Sequence, residues 1–221
     1  MIDIHMHTVY SDGDKTVEEV LKMCEEKKLE YISITDHDTC RQYEDEALKN
    51  NKIFTGKIIK GTELHARFED KNIEILGYGI DTNIITEWTK KYYSDEKLRE
   101  QQVICYKRML EIFDKHGIIY DETKFKRPEK PTDYVEQPIY WEIIKNEKNR
   151  KILGEFAESF TLFFRKGLAN PNSSYFMNHI EFRPPYKEVI DIIHQAGGKA
   201  FLAHPFEYKF DDTMKFIDDL R

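Results

Sequence analysis

Four short apolar stretches of this chain each run into a residue type that ligates metals, and no other feature of the sequence restricts the fold as much. The first is Asp3-Ile4-His5-Met6-His7. Residues two apart on a strand share a face, so Asp3, His5 and His7 are expected to project together, with Ile2, Ile4 and Met6 opposite. Two imidazoles so placed can grip one cation. A turn at Ser11-Asp12-Gly13 then puts them at the C-terminal end of a strand, where α/β barrels and open sheets gather their reactive groups. Tyr31 to Ile34 is a second β-rich run that meets acids around a histidine, Thr35-Asp36-His37-Asp38, with Thr39 placed to cap the acidic segment behind it. Lys57 to Gly61 runs into Thr62-Glu63-Leu64-His65, which predicts a carboxylate at a third strand end. Lys199 to Ala203 ends at His204, and Pro205 stops it.

Between the first two strands, Thr16-Val17-Glu18-Glu19 has capping-box spacing, and Val17, Val20, Leu21 and Cys24 recur at helical intervals. Ile73 to Asp81 reads as a further strand that leaves at a glycine-punctuated turn. From about Asn83 to Pro185 the alternation gives way to helical and aromatic sequence. Leu98, Val103, Tyr106, Leu110 and Phe113 predict an amphipathic helix ending near His116-Gly117, and Lys126 to Pro138 predicts a loop. The alternation resumes with Val189, Ile192 and Ile193, the stop Ala196-Gly197-Gly198, the strand to His204, and a last helix through Met214, Phe216, Ile217 and Leu220. The expected division is therefore 1–82 and 186–221 as an α/β body, with 83–185 as a helical insertion or cap. About five strands are visible by this reading. A parallel barrel wants more, and a closing helix with no strand behind it suggests truncation at the C-terminus.

Composition narrows the function class. With 40% apolar residues in 221, the chain can bury a sizeable core, and no stretch approaches the roughly 18 consecutive apolar residues of a membrane span. A net charge of -7 argues against a broad surface that tracks the phosphates of a long duplex, and leaves room for a local basic pocket. Cys24, Cys40 and Cys105 show no paired spacing, and no apolar leader precedes Asp3. The expected setting is a reducing cytoplasm, with the thiols as buried fillers.

Taken in order, His5-x-His7, Ser11-Asp12-Gly13, Thr35-Asp36-His37-Asp38, Gly61-Thr62-Glu63 and Ala203-His204-Pro205 resemble the PHP domain family, named for polymerase and histidinol phosphatase. The form is most similar to its TrpH-like phosphoesterase branch. The resemblance implies an α/β fold, a distorted (β/α)7 TIM-like barrel with its ligands at strand ends, here apparently truncated at the C-terminus and interrupted by the helical insertion. It also implies two to three divalent metal ions, Mn, Fe or Zn, with Mg as a further candidate. On that resemblance His5 and His7 would bind the first ion, Glu63 would bridge the first and second, His204 would hold the second, and Asp12 and His37 the third. Catalysis would then rest on Glu63, Asp12 and His37, while Asp3, Asp36 and Asp38 would orient imidazoles. An anionic bridge with neutral imidazoles around it suits clustered cations, and a pair roughly 3.5–4 Å apart can activate a water and clamp a phosphoryl group.

Two positions depart from the family pattern. Glu74 stands where TrpH-like proteins usually carry a metal-binding histidine. Either Glu74 is itself a ligand, which would harden the site toward Mn or Mg, or it faces solvent and His65 or a water fills the gap. The Asp-x-His that completes the family's ligand set does not occur before Arg221. The function implied is a metal-dependent phosphoesterase that uses a metal-activated water on a small phosphorylated substrate. That substrate would be a nucleoside 3′,5′-bisphosphate or a short oligonucleotide degraded from 5′ to 3′. The alternatives are a histidinol-phosphatase-like hydrolase and a degenerate, non-catalytic metal-binding or regulatory module. No membrane and no long-duplex nucleic acid is expected as a partner. Phosphate recognition calls for Arg or Lys, and the candidates are Arg127, Arg165, Lys166 and Arg183. Tyr140, Trp141 and Phe164 are available to stack a base or to pack the insertion's core.

Overall fold

The fold is known from a computed structural model that describes residues 1–69, 71–208 and 217–218. The chain starts with β1 (Ile2–Met6), α1 (Val17–Glu26), β2 (Tyr31–Ile34), the short α2 (Glu46–Lys49) and β3 (Lys57–Ile58). It continues with β4 (Gly61–Phe68), β5 (Lys71–Tyr78) and α3 (Thr82–Tyr93). Four helices follow, α4 (Asp95–His116), α5 (Glu136–Ile143), α6 (Glu147–Leu153) and α7 (Phe160–Leu162), the last running into a π-helical turn over Phe163–Leu168. Then come α8 (Tyr186–Gln195) and β6 (Lys199–Leu202). The helix expected through Met214, Phe216 and Leu220 lies outside the described residues, apart from Ile217 and Asp218, which are helical. Among the described residues no helix is long and apolar enough to cross a membrane.

Contacts divide the chain into two units, Met1–Tyr92 with Arg183–Arg221, and Tyr93–Phe182. The expected boundary after residue 82 therefore moves to the end of α3, and the expected return at 186 moves to Arg183. Side-chain chemistry explains the first shift. Glu188 on α8 accepts from Trp88 Nε1 at 3.0 Å, Lys91 Nζ at 2.8 Å and the Tyr92 hydroxyl at 2.8 Å, and Ile85 is fully buried beside Val189 and Ile193. These bonds and this packing hold α3 in the first unit.

Within the first unit, α1 starts as the sequence predicts. Thr16 accepts from Glu19 N and the Glu19 carboxylate accepts from Thr16 N at 2.8 Å, so two orphan donors of the first turn are satisfied reciprocally. Val17, Val20, Leu21 and Cys24 face Ile32 and Ile34 of β2 in one core cluster. Strands β1, β2 and β3 form a parallel sheet, which requires the helical crossover that α1 supplies. The segment after β2 differs from expectation: Thr39 Oγ1 accepts from Arg41 N in a 3-10 turn, and Asp45, not Thr39, caps the next helix by accepting from Ala47 N.

The chain changes sheet between Ile58 and Gly61. Strands β4, β5 and β6 form a second, antiparallel sheet, paired in register from Gly61↔Tyr78 to Phe68↔Lys71 and from Ile75↔Leu202 to Tyr78↔Lys199. The connection from Phe68 to Lys71 is too short for a parallel crossover, so a hairpin is the only geometry it permits. A bridge between His37 and Glu63 joins the two sheets, and Gly61 sits at their close approach, where a Cβ would lie 2.4 Å from Ser33 Oγ. Leu64 and Ala66 of β4 and Ile73 and Ile75 of β5 turn their side chains to α8 in a common core. Among the described residues the strands thus form two three-stranded sheets, in the orders β1-β2-β3 and β4-β5-β6, within the mixed α/β fold that the sequence leads one to expect.

The second unit is helical around Met109, Phe113, Ile139, Tyr140, Phe163 and Leu168, each fully buried. Its long helix α4 is capped by Ser94 and ends at His116, with Gly117 in the left-handed region at φ 68°, as its sequence predicts. Its buried stripe is Cys105, Met109, Ile112 and Phe113, whereas Val103, expected on the apolar face, is 55% exposed. The expected loop ends at Val135 rather than Pro138, and α5 starts at Glu136, because a proline in a first helical turn forfeits no intrahelical hydrogen bond.

Candidate metal centre

The first unit brings five histidines and four carboxylates to one place. Strand β1 carries a register irregularity between Asp3 and Met6, and the chain leaves it so that His5 and His7 both reach Glu63. Their Nε2 atoms lie 3.0 and 3.2 Å from Glu63 Oε2. His37, just past β2, places Nδ1 3.5 Å from the same oxygen. His204 approaches the other oxygen, with Nε2 3.2 Å from Glu63 Oε1. Glu63 is thus the hub, and its side chain is only 1% exposed. It occupies the interior of β4 and not a strand end, because the sheet change at Gly61 starts a new strand before it.

Asp12 extends the group on the exposed side. Its oxygens lie 3.4 Å from His7 Nδ1 and 3.7 Å from His37 Nε2. The turn that carries it is folded by Ser11 N and Gly13 N, which both donate to the Thr8 carbonyl at 3.0 Å. Asp36 holds that turn from beneath. Fully buried, it accepts from Thr8 N at 2.7 Å, Thr8 Oγ1 at 2.7 Å and Ser11 Oγ at 2.6 Å. The role expected for Asp36, orienting an imidazole, is therefore corrected: it braces the backbone between His7 and Asp12. Asp3 is corrected too, since it is exposed and accepts from His5 N at 3.4 Å, on the far side of the β1 irregularity.

Glu74 points into the cluster. Its Oε1 lies 3.0 Å from His65 Nε2 and 3.9 Å from His37 Nδ1, and its Oε2 lies 3.0 Å from His204 Nε2. Strand alternation explains this, because Ile73 and Ile75 take the opposite, core-facing side of β5. The solvent-facing alternative for Glu74 is thereby overturned. His65, which sequence reasoning considered only as a stand-in for Glu74, joins as a neighbour in its own right. It is the register partner of Glu74 across the hairpin and lies two residues from Glu63 on the same face. That Glu-x-His spacing was the available signal. Of the three acids expected to orient imidazoles, Asp38 does so: its Oδ2 lies 2.6 Å from His65 Nδ1, and Arg183 Nη1 lies 3.5 Å from that oxygen.

Charge follows the geometry. Burial by itself would raise the Glu63 carboxyl, but the hydrogen bonds from His5 and His7 and the charge of His37 outweigh it and hold Glu63 well below the usual carboxylate range. Burial likewise opposes ionisation of Glu74, yet His65 keeps its carboxyl low. His37 moves the other way, pushed down by burial and by the adjacent His65, which favours the neutral ring that a cation needs. Asp38 and His204 hold positive φ values of 52° and 24°, a conformation that costs energy for any residue but glycine and recurs at functional sites.

The donor set fits divalent cations. His5/His7/Glu63, His7/Asp12/His37, His37/His65/Glu74 and Glu63/Glu74/His204 are overlapping groups, each with ligand atoms within 4.8 Å of one another. His7 Nδ1 and His37 Nδ1 are buried without a hydrogen-bond partner, and a buried nitrogen lone pair in that state is what a cation satisfies. All seven residues expected as ligands, His5, His7, Asp12, His37, Glu63, Glu74 and His204, fall in these groups. The expected phosphate contacts separate. Arg183 belongs to the first unit, whereas Arg165 and Lys166 are exposed on the π-helical turn of the second, and Arg127 is exposed in the loop before α5. In the second unit Tyr140 is fully buried and donates to the Phe156 carbonyl, while Trp141 is 49% exposed.

Glu74→His tests the ligand chemistry directly. Both side chains project from the same face of β5, so the fold is expected to persist while preference moves from Mn or Mg toward Zn or Fe. Calorimetric titration of both variants with Mn and Zn reads the change, and superimposable binding curves would remove Glu74 from the ligand set.

A family model described as the PHP domain matches residues 3–218. The chain is 27% identical over 214 residues to the 5′-3′ exoribonuclease Rnm of Escherichia coli K12, an alignment covering 93% of this chain and 66% of that protein. The chain thus spans just under two thirds of that curated relative's length. Among solved structures it resembles an amidohydrolase from Chromobacterium violaceum with a TM-score of 0.63 at 21% identity, covering 99% of this chain and 72% of the other. It also resembles a protein from Bifidobacterium adolescentis proposed to be a metal-dependent phosphoesterase, with a TM-score of 0.59 at 20% identity over 99% of this chain and 74% of the other. At these identities the two structural likenesses establish the fold alone.

Proposed function

The chain belongs to the PHP domain family, and from that premise we propose that it is a metal-dependent phosphoesterase acting on the phosphate ends of small nucleotides or short RNA. One observation carries the proposal: a single buried carboxylate, Glu63, lies within 3.5 Å of four imidazoles while Asp12 and Glu74 flank them. Divalent cations bound among these groups supply Lewis acidity toward a phosphoryl oxygen and an acidified water as nucleophile.

The protein's own residues do the rest. Glu63 would offset the repulsion between cations bound beside it, and the imidazoles would fill coordination positions without adding negative charge. The Asp38 carboxylate fixes the His65 ring by accepting at Nδ1, which leaves Nε2 directed at the cluster. Arg183, held against Asp38, is the first unit's candidate for a phosphate oxygen. Arg165 and Lys166 remain proposed substrate contacts, supported by their residue type. The distorted seven-stranded barrel also belongs to this proposal, and the His37–Glu63 bridge between the two sheets supports it.

Nucleoside 3′,5′-bisphosphates and 5′-phosphorylated short RNA are the substrates to test, with protein purified without chelator. Hydrolysis in Mn or Zn, lost on chelation and restored by added metal, is the expected result. Release of inorganic phosphate would identify a phosphatase, and release of mononucleotides an exonuclease. Metal-loaded protein that hydrolyses neither substrate class would overturn the proposal.

A further inference from the structure

We propose that Cys105, Glu136 and His179, all in the second unit, form a separate metal site that takes a zinc-type divalent ion in a structural role. Each residue offers a ligand atom, and the three atoms lie within 4.8 Å of one another. They come from three segments remote in sequence: the middle of α4, the first residue of α5, and the turn just before Ile180. Nothing in the reading of this chain as a phosphoesterase uses them.

Burial makes this triplet unusual. Glu136 is 2% exposed and Cys105 is 7% exposed, and carboxylates are rarely so enclosed unless paired or bound to a cation. Glu136 Oε1 lies 3.1 Å from His179 Nε2. Without an ion, burial first and then the Glu136 charge push the Cys105 thiol up to about 12, so Cys105 keeps its proton beside the paired Glu136 and His179. A divalent cation replaces that proton. Thiolate and carboxylate then balance its two charges, with the imidazole neutral, and the buried assembly carries no net charge. Tetrahedral coordination brings such ligand atoms to roughly 3.3–3.8 Å from one another, within side-chain adjustment of the separations seen here. One sulfur, one nitrogen and one oxygen donor suit zinc, with a water in the fourth position.

The surroundings hold the ligands in place. The Arg108 guanidinium, one turn from Cys105 on α4, donates to the Asn178 carbonyl and to the Glu181 carboxylate, so its own charge is paired. Asn178 Oδ1 accepts from Ile180 N at 2.9 Å, closing a turn around His179. His179 is therefore fixed from both sides, and its ring packs 6.0 Å from that of Phe164. A cation here would tie α4, α5 and the segment before Arg183 at a single point.

Cobalt distinguishes this site from the histidine-rich centre of the first unit, which contains no sulfur ligand. Among the described residues, Cys24 and Cys40 belong to no ligand cluster. Co(II) added to the whole protein is expected to produce an intense near-ultraviolet sulfur-to-cobalt charge-transfer band. Cys105→Ser is expected to abolish that band while leaving the visible absorption of cobalt bound elsewhere. His179→Gln, at a half-buried position that tolerates substitution better, is expected to weaken cobalt binding at this band by at least about tenfold. No charge-transfer band in the wild-type protein would overturn the proposal. So would a band that survives unchanged in either variant.

Discussion

Glu63→Gln is expected to lower phosphoesterase turnover by at least about a thousandfold, equivalent to roughly 4 kcal/mol of barrier. The amide preserves the shape of a side chain that is 1% exposed but removes the charge on which His5, His7, His37 and His204 converge. Without it, cations bound side by side in the cluster would repel each other. Steady-state turnover, measured beside elemental analysis, separates two outcomes. Loss of activity together with loss of bound metal supports the bridging role, and turnover near wild type places the metals elsewhere. Because metal content is read independently of any substrate, the ligand assignment can be judged even if the substrate class is wrong.

Asp36→Ala is expected to destabilise the protein by about 3 kcal/mol, since it removes charge-assisted hydrogen bonds and leaves the buried Thr8 N–H unsatisfied. The same change frees the turn between His7 and Asp12, so metal affinity is expected to fall although no ligand has been altered. Urea unfolding of the metal-free protein isolates the stability effect. Asp3→Ala is the control, because Asp3 is exposed and is expected to alter stability by less than about 0.5 kcal/mol. Equal unfolding midpoints for the Asp36 and Asp3 variants would mean that the Asp36 hydrogen bonds contribute little to the fold.

What the sequence by itself determined is local. The capping box at Thr16, the buried stripe Val17, Val20, Leu21 and Cys24, and the glycine stop after His116 depend on side chains within a few turns of one another. Helical period and cap chemistry therefore suffice to read them. The PHP motifs were legible for a similar reason, since His5-x-His7 and Thr35-Asp36-His37-Asp38 are short and sit at strand ends where an apolar run stops. Other facts required partners that no local pattern names. Glu63 became the interior of a strand because the chain changes sheet at Gly61, and Glu74 turned inward because the hairpin register sets it opposite His65. Asp36 became a brace for Thr8 and Ser11 instead of an imidazole partner, and Cys105 met Glu136 and His179 from the far ends of the second unit. Strand register and helix packing are settled by the burial of whole faces at once, and a single residue's neighbours carry no trace of that outcome.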